Sequence, residues 1–201
     1  MPAVAAPRPP PLLQLSRPMP ATVATLVQQH HASPLSYDLE GGTRGTLPVG
    51  WRHDDRSVPL GDGDVWGRAR EALDRWVQFD LGWVRMEVPA PLEAGNVVAF
   101  ASRQLGLWAI NLCRIVYVVD RDDAAEAVYG FAYGTLESHA VSGEELFMLR
   151  HDKAADEVRF RIAKFSRLSH PLVRLAAPLA HHLQDRFTTH ALERMRVEVT
   201  G

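Results

Sequence analysis

The chain is expected to fold as α+β, with a curved antiparallel sheet of about six or seven strands wrapping a long C-terminal helix and shorter helices preceding the sheet. Three observations carry this expectation. Between residues 81 and 165, apolar positions recur with period two in runs separated by short Gly-, Pro- or Asp-rich turns, a spacing too tight for parallel crossovers. From residue 171 to 195 the apolar positions fall instead at three- and four-residue steps, the signature of an amphipathic helix. A long helix after a curved sheet buries its stripe by lying across the concave face, so the space between them becomes core or pocket.

Composition bounds the rest. With 201 residues and 46% hydrophobic content, the chain can bury roughly 70% of its unfolded surface without staples, consistent with one domain over residues 12–201. The 22 Lys and Arg against 24 Asp and Glu provide no bulk charge for a nucleic-acid or anionic-membrane partner. A single cysteine, Cys113, excludes an internal disulfide or a thiolate-rich metal site and fits a reducing cytoplasm. No apolar run approaches the ~18 residues of a membrane span, and prolines interrupt the N-terminus where a signal peptide needs a continuous apolar core.

In chain order, residues 1–11 hold five prolines and read as a disordered, extended tail. Pro18 and Pro20 precede a short amphipathic helix carrying Val23, Leu26 and Val27, which ends before Pro34. His30 and His31 follow; adjacent helical residues point about 100° apart, so the two are read as surface residues rather than a metal pair. Residues 36–63 are rich in Gly, Pro, Asp and Arg and read as loops anchored by Tyr37 and Trp51. They contain neither a phosphate loop nor a dinucleotide fingerprint, and no cofactor is expected. Asp62 or Asp64 caps a helix over 65–77 with Trp66, Ala69, Leu73 and Trp76 on one side.

The strands are expected at 81–88, 97–103, 107–119, 128–136, 144–150 and 158–165. Within 107–119, alternation puts Trp108, Ile110, Leu112, Arg114, Val116 and Val118 on one face and Asn111, Cys113, Ile115 and Tyr117 on the other. In the last helix Leu172, Ala176, Leu179, Leu183, Phe187, Ala191 and Met195 form one stripe; Pro171 suits its first turn, and Pro178 is a place for a bend.

Several blocks carry a resemblance. S-Y-D-L-E-G-G-T-R at 36–44, L-P-V-G-W at 47–51, Y-G-T-L-E-S-H at 133–139, G-E-E-L-F at 143–147, F-S-R-L-S at 165–169 and P-L-A-H-H-L-Q at 178–184 resemble the uncharacterised bacterial and plant family known as domain of unknown function nineteen-ninety, over about residues 12–195. The resemblance implies a START-like helix-grip fold and no established activity. The chain departs from that family's Gly-His-Pro turn, having Ser138, His139 and Ala140 there.

The most chemically loaded segment is 129–149, a hairpin bringing His139, Glu144 and Glu145 within reach of one another as candidate proton-transfer groups, with one glutamate facing inward. The structural alternative has a glutamate pairing with Arg114 or Arg161, or capping turn N–H groups. Tyr129 and Tyr133 share a strand face. Arg114, in an apolar strand, needs a carboxylate or a ligand anion. Cys113 reads as a small core residue, and no metal pattern such as H-E-x-x-H is present. The leading functional expectation is a protein holding an apolar or amphipathic small molecule between sheet and helix, oriented by Arg114, Tyr129, Tyr133, His139 and Glu145. The alternatives are an enzyme using His139 and Glu145 in the same cavity, and an interaction module with a filled interior. Gly130, Ala132 and Gly134, alternating on one strand face, are read as favouring open space or a close helix approach.

Overall fold

A computed structural model describes residues 12–169 and 171–201; the proline-rich tail expected over residues 1–11 lies outside the described residues. Eight strands form one antiparallel sheet. They are β1 (Leu12–Gln14), β2 (Arg52–Gly61), β3 (Val84–Val88), β4 (Val97–Gln104), β5 (Leu107–Asp122), β6 (Glu126–Thr135), β7 (Val141–Asp152) and β8 (Glu157–Leu168). Their order is β2-β8-β7-β6-β5-β4-β3, with β1 beside β5. The six strands expected from period-two alternation are all present; β1 and β2 are the additions.

Strand β2 crosses the stretch read as loops. Its sequence R-H-D-D-R-S-V-P-L-G alternates half-buried and exposed positions without the apolar contrast that marks a strand. It is an edge strand, which tolerates Pro59; its register against β8 slips between Pro59 and Gly61. Strand β1 fills a gap: β5 outruns β6, whose pairing ends at Cys113↔Thr135, and β1 takes the vacant edge at Leu12↔Ile110 through Gln14↔Trp108.

A bulge also corrects the expected faces of β5. Ile115 pairs with Tyr133 but Tyr117 pairs with Ala132, so Val116 is the extra residue and alternation inverts beyond it. Tyr117 therefore packs with Ala132, Leu146 and Ala163 on the convex face, and Val118 packs against the main core on the concave one.

Helix α1 (Pro20–Gln29) starts with Pro20 in its first turn. It seats Val23 on the convex face against Val97, Ala99, Ile110, Leu112 and Leu136. Helix α2 (Trp66–Asp74) follows a short 3-10 turn in which Asp62 accepts the N–H of Asp64. It ends earlier than expected because Trp76 adopts φ +59° and turns the chain into a second 3-10 turn at Val77–Phe79. The bend falls at Ala176, between α3 (Pro171–Leu175) and α4 (Ala177–Thr200). Pro178, which lacks an N–H, sits in the first turn of α4, where no helical donor is needed.

Helix α4 packs on β2, β8, α2 and the 77–79 turn. Its stripe divides in two. Phe187, Ala191 and Met195 are buried among Phe79, Phe131 and Phe147 in the main core, while Ala176, Leu179 and Leu183, nearer its N-terminus, line a cavity. This is the expected helix-grip layout.

Candidate functional site

The cavity lies between the N-terminal half of α4 and one end of the sheet, with a volume of about 450 Å³. That is within the roughly 300–1,000 Å³ of small-molecule sites. Most of the wall is apolar, supplied by Trp83, Phe100, Ala109, Leu183 and Phe187 among others. At its rim Leu13, Leu105, Leu107 and Leu179 are exposed, Leu105 by 84%. Leu105 stands at the tip of the β4–β5 hairpin with φ +50°.

A polar strip crosses this wall. The Tyr133 hydroxyl donates to Glu145 Oε2 at 2.7 Å, and Lys164 Nζ donates to Glu145 Oε1 at 3.2 Å. Lys164 further donates to Thr188 Oγ1 at 2.6 Å and to the Gln184 carbonyl at 3.3 Å, and lies 3.6 Å from Asp54 Oδ2. Asp54 in turn accepts from Thr188 and from Arg56 on its own strand. Each of the three ammonium protons of Lys164 thus has an oxygen to meet, which is the condition for burying it. Burial, with Glu145 beside it, holds the Tyr133 phenol well above its ordinary pKa and keeps it a donor.

His139 stands in the β6–β7 connection with its ring 6.2 Å from Phe100. Its Nδ1 accepts the N–H of Val141 at 3.0 Å. Because a main-chain N–H only donates, the ring proton of neutral His139 is on Nε2. Burial depresses the imidazole pKa to about 4, so the neutral form prevails at neutral pH. Gln184 donates through Nε2 to Ser166 Oγ at 3.1 Å, while its Oε1 is buried with no hydrogen-bond partner among the described residues. Asn111 and Ser102, 3.4 Å apart through Nδ2 and Oγ, are further polar positions of the wall, as are Gln104 and Thr135.

The residues singled out from sequence are distributed over both faces. Tyr133, His139 and Glu145 come together at the cavity. Glu144 is on the convex face, where its carboxylate accepts from the Tyr37 hydroxyl (2.7 Å), the N–H groups of Gly41 (2.8 Å) and Thr43 (2.9 Å), and the Thr43 hydroxyl. Arg114 also points away from the cavity and donates to the carbonyls of His31 and Ser33, both at 2.7 Å, closing the chain after α1. Tyr129 lies farther along β6, donating to Asp74 beneath the guanidinium of Arg70. Cys113 is buried in the core and burial raises its thiol pKa. His30 and His31 stay near the surface after α1. Among the described residues no cluster of three or more His, Cys, Asp or Glu could hold a metal.

Sequence reading missed Lys164 and Gln184. A signal for the first exists, since Phe160, Ile162 and Lys164 share one face of β8 and a cation there interrupts an inward apolar series. Gln184 has a weaker one, lying beside Leu183 at the edge of the helix stripe. The alternating small residues of β6 have another role than the one expected. A Cβ on Gly130 would meet the Phe147 carbonyl oxygen at 2.2 Å, and one on Gly134 the Tyr37 hydroxyl at 2.2 Å, so they admit close neighbours on the convex side and not open space in the cavity.

The family model described as "Domain of unknown function (DUF1990)" matches residues 36–194. The chain belongs to this family. A UPF0548 protein of Deinococcus radiodurans is 34% identical over 201 residues, spanning 93% of this chain and 98% of the relative. A UPF0548 protein of Dictyostelium discoideum is 32% identical over 151 residues, or 71% and 70% of the two chains. Among solved structures, a hypothetical protein of Helicobacter pylori aligns at 10% identity and TM-score 0.48, covering 76% of this chain and 94% of its own. Ara h 8.0201 aligns at 11% identity and TM-score 0.48, over 75% and 98%. For this member of the DUF1990 family, no helix among the described residues is long and apolar enough to cross a membrane.

Proposed function

We propose that the protein binds an apolar or amphipathic small molecule in the cavity between the sheet and the N-terminal half of α4. The observation that carries this reading is the division of the α4 stripe. A helix that packs Ala191 and Met195 into the core leaves Leu179 and Leu183, with Phe187 at the border and Ala176 just before the first turn, facing about 450 Å³ of space. A domain with a filled interior would close that volume, because unfilled apolar space forfeits contacts on every side. The exposed leucines at the rim provide an apolar route inward. His139 and Glu145 hydrogen-bond to separate partners, Val141 for the first and Tyr133 and Lys164 for the second, so orientation of a bound molecule accounts for them without a shared proton.

The test is uptake of an uncharged environment-sensitive fluorophore, N-phenyl-1-naphthylamine. Wild-type protein enhances its emission saturably, and Ala180→Phe, which places a ring in the cavity from α4, abolishes the enhancement while the thermal unfolding transition persists. Equal saturable enhancement in both proteins would place the fluorophore elsewhere and remove this reading.

A further inference from the structure

The wall of the cavity constrains the chemistry of a ligand's polar end. Among the described residues the ionisable ones lining it are Tyr133, held as the neutral phenol, His139, Glu144, Glu145 and Lys164. Glu145 and Lys164 are bonded to each other, with Tyr133, Thr188 and Asp54 taking their remaining positions. Glu144 turns its carboxylate to the opposite face of the sheet, where four donors meet it. His139 is neutral. Among the described residues the wall therefore holds no unpaired charge, and a carboxylate, phosphate or ammonium entering it would either lack a counter-ion there or have to break a buried pair.

The wall also carries neutral polar groups. His139 lines it and bears its ring proton on Nε2, its tautomer set by the bond from Val141 to Nδ1. Gln184 uses one end of its amide on Ser166 and leaves the other, buried, without a partner among the described residues. The serine hydroxyl can donate or accept, so either orientation of the amide leaves one polar atom over, and a hydroxyl can satisfy whichever it is. We propose, resting on the cavity reading above, that the ligand is an uncharged amphipathic molecule whose polar end is a hydroxyl, placed between His139 Nε2 and the amide of Gln184, with its hydrocarbon body against Trp83, Phe100, Leu183 and Phe187.

Displacement of N-phenyl-1-naphthylamine by three eight-carbon compounds, 1-octanol, octanoate and octylammonium, tests the head group. At about pH 7.5 octanol displaces the fluorophore at least about tenfold more effectively than either ion. Octanoate then gains about tenfold for each unit by which pH falls from about 7.5 to 5.5, because only its neutral acid enters; His139 remains neutral across that range. Gln184→Met binds octanol about two- to tenfold more weakly than the wild type does, each measured against that protein's own fluorophore affinity, the range of one neutral hydrogen bond. Octanoate or octylammonium matching octanol at about pH 7.5, or unchanged octanol binding by Gln184→Met, overturns the inference and leaves the cavity standing. Absence of fluorophore uptake by the wild type removes the cavity reading and this inference together.

Discussion

Glu144 and Glu145 are neighbours in the chain and face opposite sides of the sheet, each satisfied by a different set of donors. Glu144 is 2% exposed and ties the 37–43 loop to the convex face through Tyr37, Gly41 and Thr43. Glu145 is 8% exposed and belongs to the cavity wall with Tyr133 and Lys164. The pleat of β7 separates them, since successive side chains of a strand leave on opposite faces.

Their replacements should separate accordingly. Glu144→Ala strands several buried donors and lowers stability by about 3 kcal/mol in urea unfolding, with fluorophore uptake retained. Glu145→Gln leaves Lys164 with Asp54 as its remaining acid and costs about 1–3 kcal/mol. Combining Lys164→Met with Glu145→Gln removes both charges and recovers part of that loss, a coupling visible in a double-mutant cycle. Additive effects of the two single changes would mean that the pair is not coupled in solution.

His139 makes stability depend on pH. Its pKa falls from 6.5 to about 4 on folding, so between those values the unfolded chain binds more protons than the folded one. Stability therefore declines as pH drops from about 6.5 toward 4, by about 2–3 kcal/mol for this partly accessible ring. Urea midpoints measured at several pH values across this window should decline more steeply for the wild type than for His139→Gln. Parallel curves would show that the ring is readily protonated in the folded state.

Gly134 makes room for Tyr37. Gly134→Ala would set a methyl group 2.2 Å from the Tyr37 hydroxyl oxygen and 2.9 Å from its ring and from Leu35, driving Tyr37 off Glu144. The expected loss is about 2–3 kcal/mol in urea unfolding. Tyr37→Phe introduced into that variant relieves only part of it, because the ring and Leu35 contacts persist. A neutral Gly134→Ala would mean that the loop yields freely, contrary to the four donors that hold it on Glu144.

The central strands were legible because β4 to β8 bury one or both faces, and burial writes a period of two into the residues. Strand β2 was not, because its inward positions Asp54 and Arg56 meet Lys164 and Asp185 in place of a hydrocarbon core, while Asp55 pairs outward with Arg161. Polar residues on both faces erase the contrast on which strand recognition depends. The loaded hairpin was legible as residue types, and so was the need for one glutamate to face inward. Which one did so rests on the pairing of Tyr133 with Glu145.

The sequence by itself determined the fold class, the strand succession from β3 to β8, the α4 stripe and the resemblance to the DUF1990 family, all properties of local periodicity and short motifs. Tertiary structure alone decided that β2 forms the edge of the sheet beside β8, that the β5 bulge sends Tyr117 outward, and that Arg114 serves the end of α1. It also decided that Lys164 neutralises Glu145 and that Gln184 is left with an unmatched polar atom. Those outcomes depend on which residues far apart in the chain meet, as Lys164 meets Asp54 and Thr188. Hydrogen bonds and ion pairs act over a few ångströms in space, whatever the separation along the chain.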